Sequence, residues 1–315
     1  VEGTGVVESA LEAQRLGEIV QGVRPPGWAA HGFPRVDRDR LDEARTMFEA
    51  SLDTWEAVGG PPGRAYALNN LAEALRLQGR LDDARALHDE AISIRRQANL
   101  QRDLATSLAN LGLLQIDAGS LDDARATLDR AREAVEAAED PTTRADWLYA
   151  FGELHRRADS SEDALEAHRE ALELRRSLDQ SAAIARSQIA VARLLLDPAP
   201  TDAEDLARQA WNSSQLDGRP ADEARAAAVV LEALIRLDAT ADTVDLFEET
   251  EAVAADTTQP AVRIELGLAK ARQLHQRGDR RQAMDLLATL DRDARSSGLL
   301  ALARDIRRTA DALGS

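Results

Sequence analysis

The stretch "LNNLAEALRLQGRLDDA", residues 68–84, returns forty residues later as "LANLGLLQIDAGSLDDA", residues 108–124. The two copies agree where a helix is buried and differ where it is wet. Self-similarity at such a period describes a chain built by stacking one small unit, not by closing a single core. Alanine-like positions carry the register along the chain: Ala44, Ala84, Ala124, Ala164, Ala207, Val244 and Ala283, at intervals of 40, 40, 40, 43, 37 and 39. Within a unit the pattern is a helix, a tight turn and a second helix. Gly79, Gly119 and Gly278 stand at the turn, where a left-handed C-terminal cap suits glycine.

The charge pattern fits the same unit. Second helices open with Asp42-Glu43, Asp82-Asp83, Asp122-Asp123 and Glu162-Asp163, and two close with Arg95-Arg96 and Arg175-Arg176. Acids at the amino end and bases at the carboxyl end complement the helix dipole, so these charges read as helix-end chemistry. Composition agrees: 44% of the 315 residues are hydrophobic but only 3% are aromatic. Small, straight-chain apolar residues favour helices over strands. A chain this long also exceeds one ordinary core unless it is extended or divided.

Composition excludes several functions. The chain has no cysteine, which removes disulfides and thiolate metal sites and points to a reducing, cytoplasmic location. Its net charge of −17, with Lys270 the only lysine, leaves no basic stripe for nucleic acid. Apolar runs are too short and too broken by charge to span a membrane. The amino terminus "VEGTGVVESALEAQ" lacks the pattern of a signal peptide, and without a Met it reads as part of a longer polypeptide.

Leu71-Ala72, Leu111-Gly112 and Phe151-Gly152, followed by the turn glycine and the second-helix alanine, resemble the tetratricopeptide repeat. The 40-residue spacing and the wording "ALNNLA…G…A…AISIRR" look most like the kinesin-light-chain type. The resemblance is closest over 65–180 and extends over 181–315, where Asp238-Ala239 replaces the turn glycine and "LLLDPAPTD" alters one turn. It implies an all-α, right-handed solenoid of about seven helical hairpins with a C-terminal capping helix. Residues 1–64 are then the first hairpin, with an insertion at about 23–37, "VRPPGWAAHGFPRVD", whose prolines and glycines forbid a helix. Residues 65–184 form three regular hairpins, 185–297 three divergent ones, and 298–315 the cap.

In that family the first helix of each unit lines a concave groove. Counted from Ala65, the resemblance assigns Tyr66, Asn69, Asn70, Glu73 and Arg76 to it. The next unit supplies Thr106, Ala109, Asn110, Leu113 and Ile116, and the third Asp146, Tyr149, Ala150, Glu153 and Arg156. The fourth supplies Arg186, Ile189, Ala190, Arg193 and Leu196. Asn70 and Asn110 match the asparagine that holds the ligand backbone in peptide-binding members. An amide both donates and accepts, so it can read a peptide unit whatever the side chain. The competing reading is an amide bonded to a neighbouring helix, and Ala150 and Ala190 end the ladder after two rungs. Leu113, Ile116 and Tyr149 form an apolar floor beside Glu73, Arg76, Glu153 and Arg156, or else pack on the next helix. The lysine clamp by which chaperone-binding members grip a terminal carboxylate lacks its lysines here.

No catalytic, metal-binding or cofactor-binding residue is predicted. His31, His88, His155, His168 and His275 have no ligand spacing, and His88 and His168 share a repeat position normally used for packing. Trp147 and Trp211 fall at inner positions and read as core. Trp28 and Phe33, in the inserted segment, either fold back or face a partner. The chain therefore reads as a non-catalytic module that binds a protein or peptide and neither nucleic acid nor membrane. The resemblance implies the sensor or scaffold segment of a larger bacterial signalling protein. The alternatives are the regulatory part of an enzyme whose catalytic domain lies elsewhere, or a free-standing adaptor.

Overall fold

The computed structural model describes residues 38–239, 243–255 and 259–314. Over these residues the chain forms helices α1 (Arg38–Val58), α2 (Pro61–Leu77), α3 (Leu81–Gln97), α4 (Gln101–Asp117), α5 (Leu121–Ala138), α6 (Pro141–Arg157) and α7 (Ser161–Ser177). They continue as α8 (Ser181–Leu195), α9 (Pro200–Leu216), α10 (Pro220–Arg236), α11 (Thr243–Ala255), α12 (Pro260–Gln276), α13 (Arg280–Ser296) and α14 (Leu300–Gly314). Consecutive helices pair as antiparallel hairpins, and the hairpins stack into the expected all-α solenoid with α14 as its cap. The insertion at 23–37, with Trp28 and Phe33, and the first helix of the first hairpin lie outside the described residues.

The turns set the period. A residue with positive φ recurs every twenty positions: Gly59, Gly79, Asn99, Gly119, Glu139, Asp159 and Asp179. Where glycine is missing, Asp238 takes the left-handed position at φ 57°. Asn and Asp visit this region more readily than other non-glycine residues.

Ala84, Ala124, Ala164 and Ala283 are fully buried at the fourth position of their helices, where the two helices of a hairpin cross. Ala203, also fully buried, holds the fourth position of α9. The irregular interval of 43 is thus corrected: Ala207 occupies the eighth position, and the unit is one residue short because α8 has 15 residues rather than 17 while the turn after it has four rather than three. Periodicity alone offered two alanines four residues apart on one helix face, both buried. The side chain of Val244 lies outside the described residues.

The solenoid curls far enough to close on itself. Leu81 joins an apolar cluster with Ile264, Leu268, Leu299 and Leu302 from the opposite end of the chain. At Gly79 (φ 81°) a Cβ would lie 3.3 Å from the Ser297 carbonyl oxygen, and at Gly119 (φ 75°) 3.4 Å from Leu300 Cβ. One turn further on, Arg157 bonds to Asp305, and both carboxylate oxygens of Asp159 accept from Arg308 at 3.0 Å. The turns at 79, 119 and 159 therefore meet the C-terminal end of the chain, the first at the turn before α14 and the other two at α14 itself, and the concave groove becomes a chamber ringed by helices.

Candidate functional site

The chamber has a volume of about 670 Å3. Of the predicted groove residues, Asn69, Asn70, Glu73, Arg76, Thr106, Asn110, Leu113, Tyr149, Glu153 and Arg156 all line it. Arg186, Ile189 and Arg193 continue the wall. Ile116 does not line it. It is 2% exposed and packs with Ala124, Leu128, Ala150 and Leu154, because it faces its own hairpin partner α5. Ala109 is core with the same cluster, and Ala150 is core because it packs back on α4 and α5 of the preceding hairpin. Each first helix also begins earlier than counted, at Pro61 rather than Ala65 in the case of α2.

The two asparagines differ. Asn70 donates its amide to the Tyr66 carbonyl on its own helix at 2.8 Å and lines the chamber, with its amide oxygen unused by that bond. Asn69, which is buried, accepts from the Ser107 hydroxyl at 2.8 Å and so ties α2 to α4. The competing reading of a helix-bonded amide thus describes Asn69.

The charges are organised as pairs. Glu73 accepts from Arg76 Nε and Nη2 at 2.9 and 2.7 Å, and Arg76 also bonds to Asp117 on the next hairpin. Burial pushes the Glu73 carboxyl up, but the Arg76 guanidinium outweighs it and holds the group below the usual range. Burial wins at Asp117, whose carboxyl stays raised despite Arg76. Eighty residues on, Glu153 accepts from Arg156 at 2.8 Å, and His168 Nε2 lies 3.4 Å from its other oxygen. Burial is again overcome there, by Arg156 and His168, and Glu153 is held well below the usual range. Glu265 on α12 receives Arg193 at 2.7 Å.

Arg95 and Arg175 correct the helix-end reading. Both are under 5% exposed and turn inward, while Arg96 and Arg176 stay outside. Arg175 donates to Ser187 at 2.7 Å and Asp146 at 3.0 Å, and its guanidinium lies 4.8 Å from the centre of the Tyr149 ring. Arg95 bonds to Ser107 and, at 2.7 Å, to the Asp103 carbonyl. Burial lowers the pKa of both from the ordinary arginine value. The signal in the sequence was the 80-residue echo: Glu73, Arg76, His88, Arg95 and Ser107 recur as Glu153, Arg156, His168, Arg175 and Ser187.

His88 and His168 are both fully buried, as packing residues should be. Trp147 is half-buried, donates to the Leu128 carbonyl at 2.9 Å and stacks on Phe151. Trp211 packs against the core around Val229 and Leu231.

Two stretches of the chain, residues 35–97 and 103–177, match the tetratricopeptide-repeat family. These stretches are tetratricopeptide repeats. No curated protein matches its sequence. Among solved structures it is similar to a Rap protein complexed with Competence and Sporulation Factor, at 12% identity and a TM-score of 0.60, covering 97% of this chain and 94% of the other. It is also similar to BtubC (BKLC) from P. vanneervenii, at 16% identity and a TM-score of 0.53, covering 68% and 91%. These likenesses concern the fold. The repeat architecture is that of a protein-interaction module. Among the described residues no helix is long and apolar enough to cross a membrane.

Proposed function

We propose that this protein binds a peptide segment in its central chamber, and that it serves as the sensor or scaffold segment of a bacterial signalling protein. The observation that carries the reading is the wall itself: Asn70 and Asn110 line one chamber with Thr106, Leu113 and Tyr149. Each of the two amides on successive repeats can both donate to and accept from a peptide unit, and Leu113, Tyr149 and Ile189 offer apolar contact to side chains. A fold likeness over nearly the whole length to a Rap protein seen with Competence and Sporulation Factor supports it. The work of the chamber is binding rather than catalysis. Its carboxylates at Glu73, Glu153 and Glu265 are paired with arginines and held low, so they stay ionised near neutral pH and are poor proton donors.

The test is a double substitution, Asn70→Ala with Asn110→Ala, read as affinity for pooled hexapeptides. Each lost backbone hydrogen bond costs about 0.5–1.5 kcal/mol, so binding should weaken about tenfold or more. The helix content should be unchanged, since neither side chain joins two helices. Deleting residues 25–34 is the control and should leave binding intact. If the deletion abolishes binding while the asparagine pair is silent, the partner docks through Trp28 and Phe33, and the chamber is not the site.

A further inference from the structure

The chamber is positive inside a strongly negative protein. Ten arginines and seven carboxylates line it, an excess of three positive charges, whereas the whole chain carries −17. Nine of these arginines have a hydrogen bond or a carboxylate within reach. Arg156 is matched by Glu153, Arg193 and Arg225 by Glu265, and Arg219 by Asp217 and Asp222. Arg102 is matched by Asp140, and Arg157 by Asp305. Among the described residues Arg186 is the exception, with no hydrogen bond and no carboxylate within 4 Å. Its Nε is buried and unpaired. It lines the chamber from α8 and lies within electrostatic reach of Glu73, Tyr149 and Arg175.

A guanidinium presents five donors in a fixed fork that fits a carboxylate with two parallel bonds. The buried Nε of Arg186 is left unsatisfied, which is costly, and every other arginine lining the chamber already has a hydrogen bond or a carboxylate partner. We infer that Arg186 anchors a carboxylate of the ligand, so that the chamber selects peptides bearing a free acid. This rests on the peptide-binding reading above. The lysine clamp of chaperone-binding relatives has no counterpart here, since Lys270 pairs with Glu251. The cation is supplied instead by an arginine two hairpins beyond Asn110. A peptide whose backbone lies on Asn70 and Asn110 would carry its acid towards α8. The acid can be the terminal carboxylate or an Asp or Glu side chain, and the experiment separates the two.

Three fluorescein-labelled hexapeptide pools serve as probes: free C-terminus without Asp or Glu, amidated C-terminus with Asp and Glu, and amidated without either. Fluorescence polarisation is read with the wild-type chain, Arg186→Gln and the Asn70→Ala, Asn110→Ala pair. At least one carboxylate-bearing pool should bind about tenfold or more tighter than the neutral pool, because bonds to charged groups contribute about 1.5–3 kcal/mol. Which pool does so identifies the source of the acid. Arg186→Gln should erase that advantage and leave the neutral pool unchanged. Its melting temperature should stay level or rise, since it removes an unmatched cation from a positive chamber. The proposal is overturned if the neutral pool binds as tightly as the others, if Arg186→Gln binds like wild type, or if that variant melts lower as a structural residue would. Loss of binding in the asparagine pair with a silent Arg186→Gln would leave the chamber reading standing and remove only the anchor. Failure of every pool to bind the wild-type chain would remove both.

Discussion

Glu73, Arg76 and His88 in one hairpin, and Glu153, Arg156 and His168 two hairpins later, are the same constellation written 80 residues apart. They nonetheless behave differently, and the sequence differs by a methyl group beside them. Ala72 holds the position equivalent to Gly152, which lies so close beneath His168 that a Cβ there would be 2.7 Å from the ring. The absent methyl lets the His168 ring settle against Glu153 at 3.4 Å and receive the Tyr149 ring edge-on. At the earlier site burial drives the His88 pKa down to about 4 against the pull of Glu73. Arg76 compensates in its own way by bridging to Asp117, which Arg156 does not do. Repeats thus share a frame while small local differences set the electrostatics of each rung.

The largest expected effect comes from that bridge. Arg76→Ala strands two half-buried carboxylates, Glu73 and Asp117, and removing one partner of a buried pair costs roughly 3–5 kcal/mol. Their partial exposure places the loss near the lower end. Arg156→Ala strands only Glu153, which keeps His168, so its loss in urea unfolding should be smaller. Equal losses would show that the bridge to Asp117 contributes nothing.

Gly152→Ala comes next. The new methyl must push the His168 ring, and overpacking costs about 1–3 kcal/mol. A smaller residue at 168 in the same chain should recover part of it. A neutral Gly152→Ala would mean that the two hairpins pack alike, and the comparison would fail.

The third effect is read with pH. His88 in the fold takes up a proton only near pH 4, whereas its ordinary value is 6.5. Between these values the unfolded chain binds the proton and the folded chain does not, so stability should decline as pH falls from about 6.5 to about 4. The slope is worth about 1 kcal/mol per pH unit for one such group. His88→Leu should flatten that limb. Below it Glu73 and Glu153, both held low, protonate and remove further stability in either background. The smallest effect is Ala72→Gly, roughly 0.5–1 kcal/mol from helix propensity, with the His88 ring free to shift towards Glu73. A chemical-shift titration of His88 that does not move would sink that last expectation.

Much of the site was legible because repeats make distant positions equivalent. Once Asn70 faces the groove, Asn110 does too, and the same step places Glu73 with Glu153 and Arg76 with Arg156. Ile116 failed because three residues, about a sixth of a turn short of one helical turn, separate it from Leu113, and that rotation is enough to move a side chain from groove to core. Arg95 and Arg175 failed for a different reason. Their place in the last helical turn fits a dipole role equally well, and only the neighbouring hairpin's Ser107 and Ser187 decide that they turn inward.

By itself the sequence determined what depends on neighbours along the chain: hairpins, turns at twenty-residue intervals, the buried alanine at each crossing and the family. Those rest on helix periodicity and turn conformation, which act over a few residues. Tertiary structure decided what accumulates over many repeats. A small rotation per hairpin, summed over the four from α6 to α13, brings Asp305 and Arg308 to Arg157 and Asp159, some 148 residues away, and closes the groove into a chamber. Closure also decides which arginines find carboxylates, because Glu265 reaches Arg193 only across the curve of the solenoid. Arg186, left without one, owes its open fork to the same geometry.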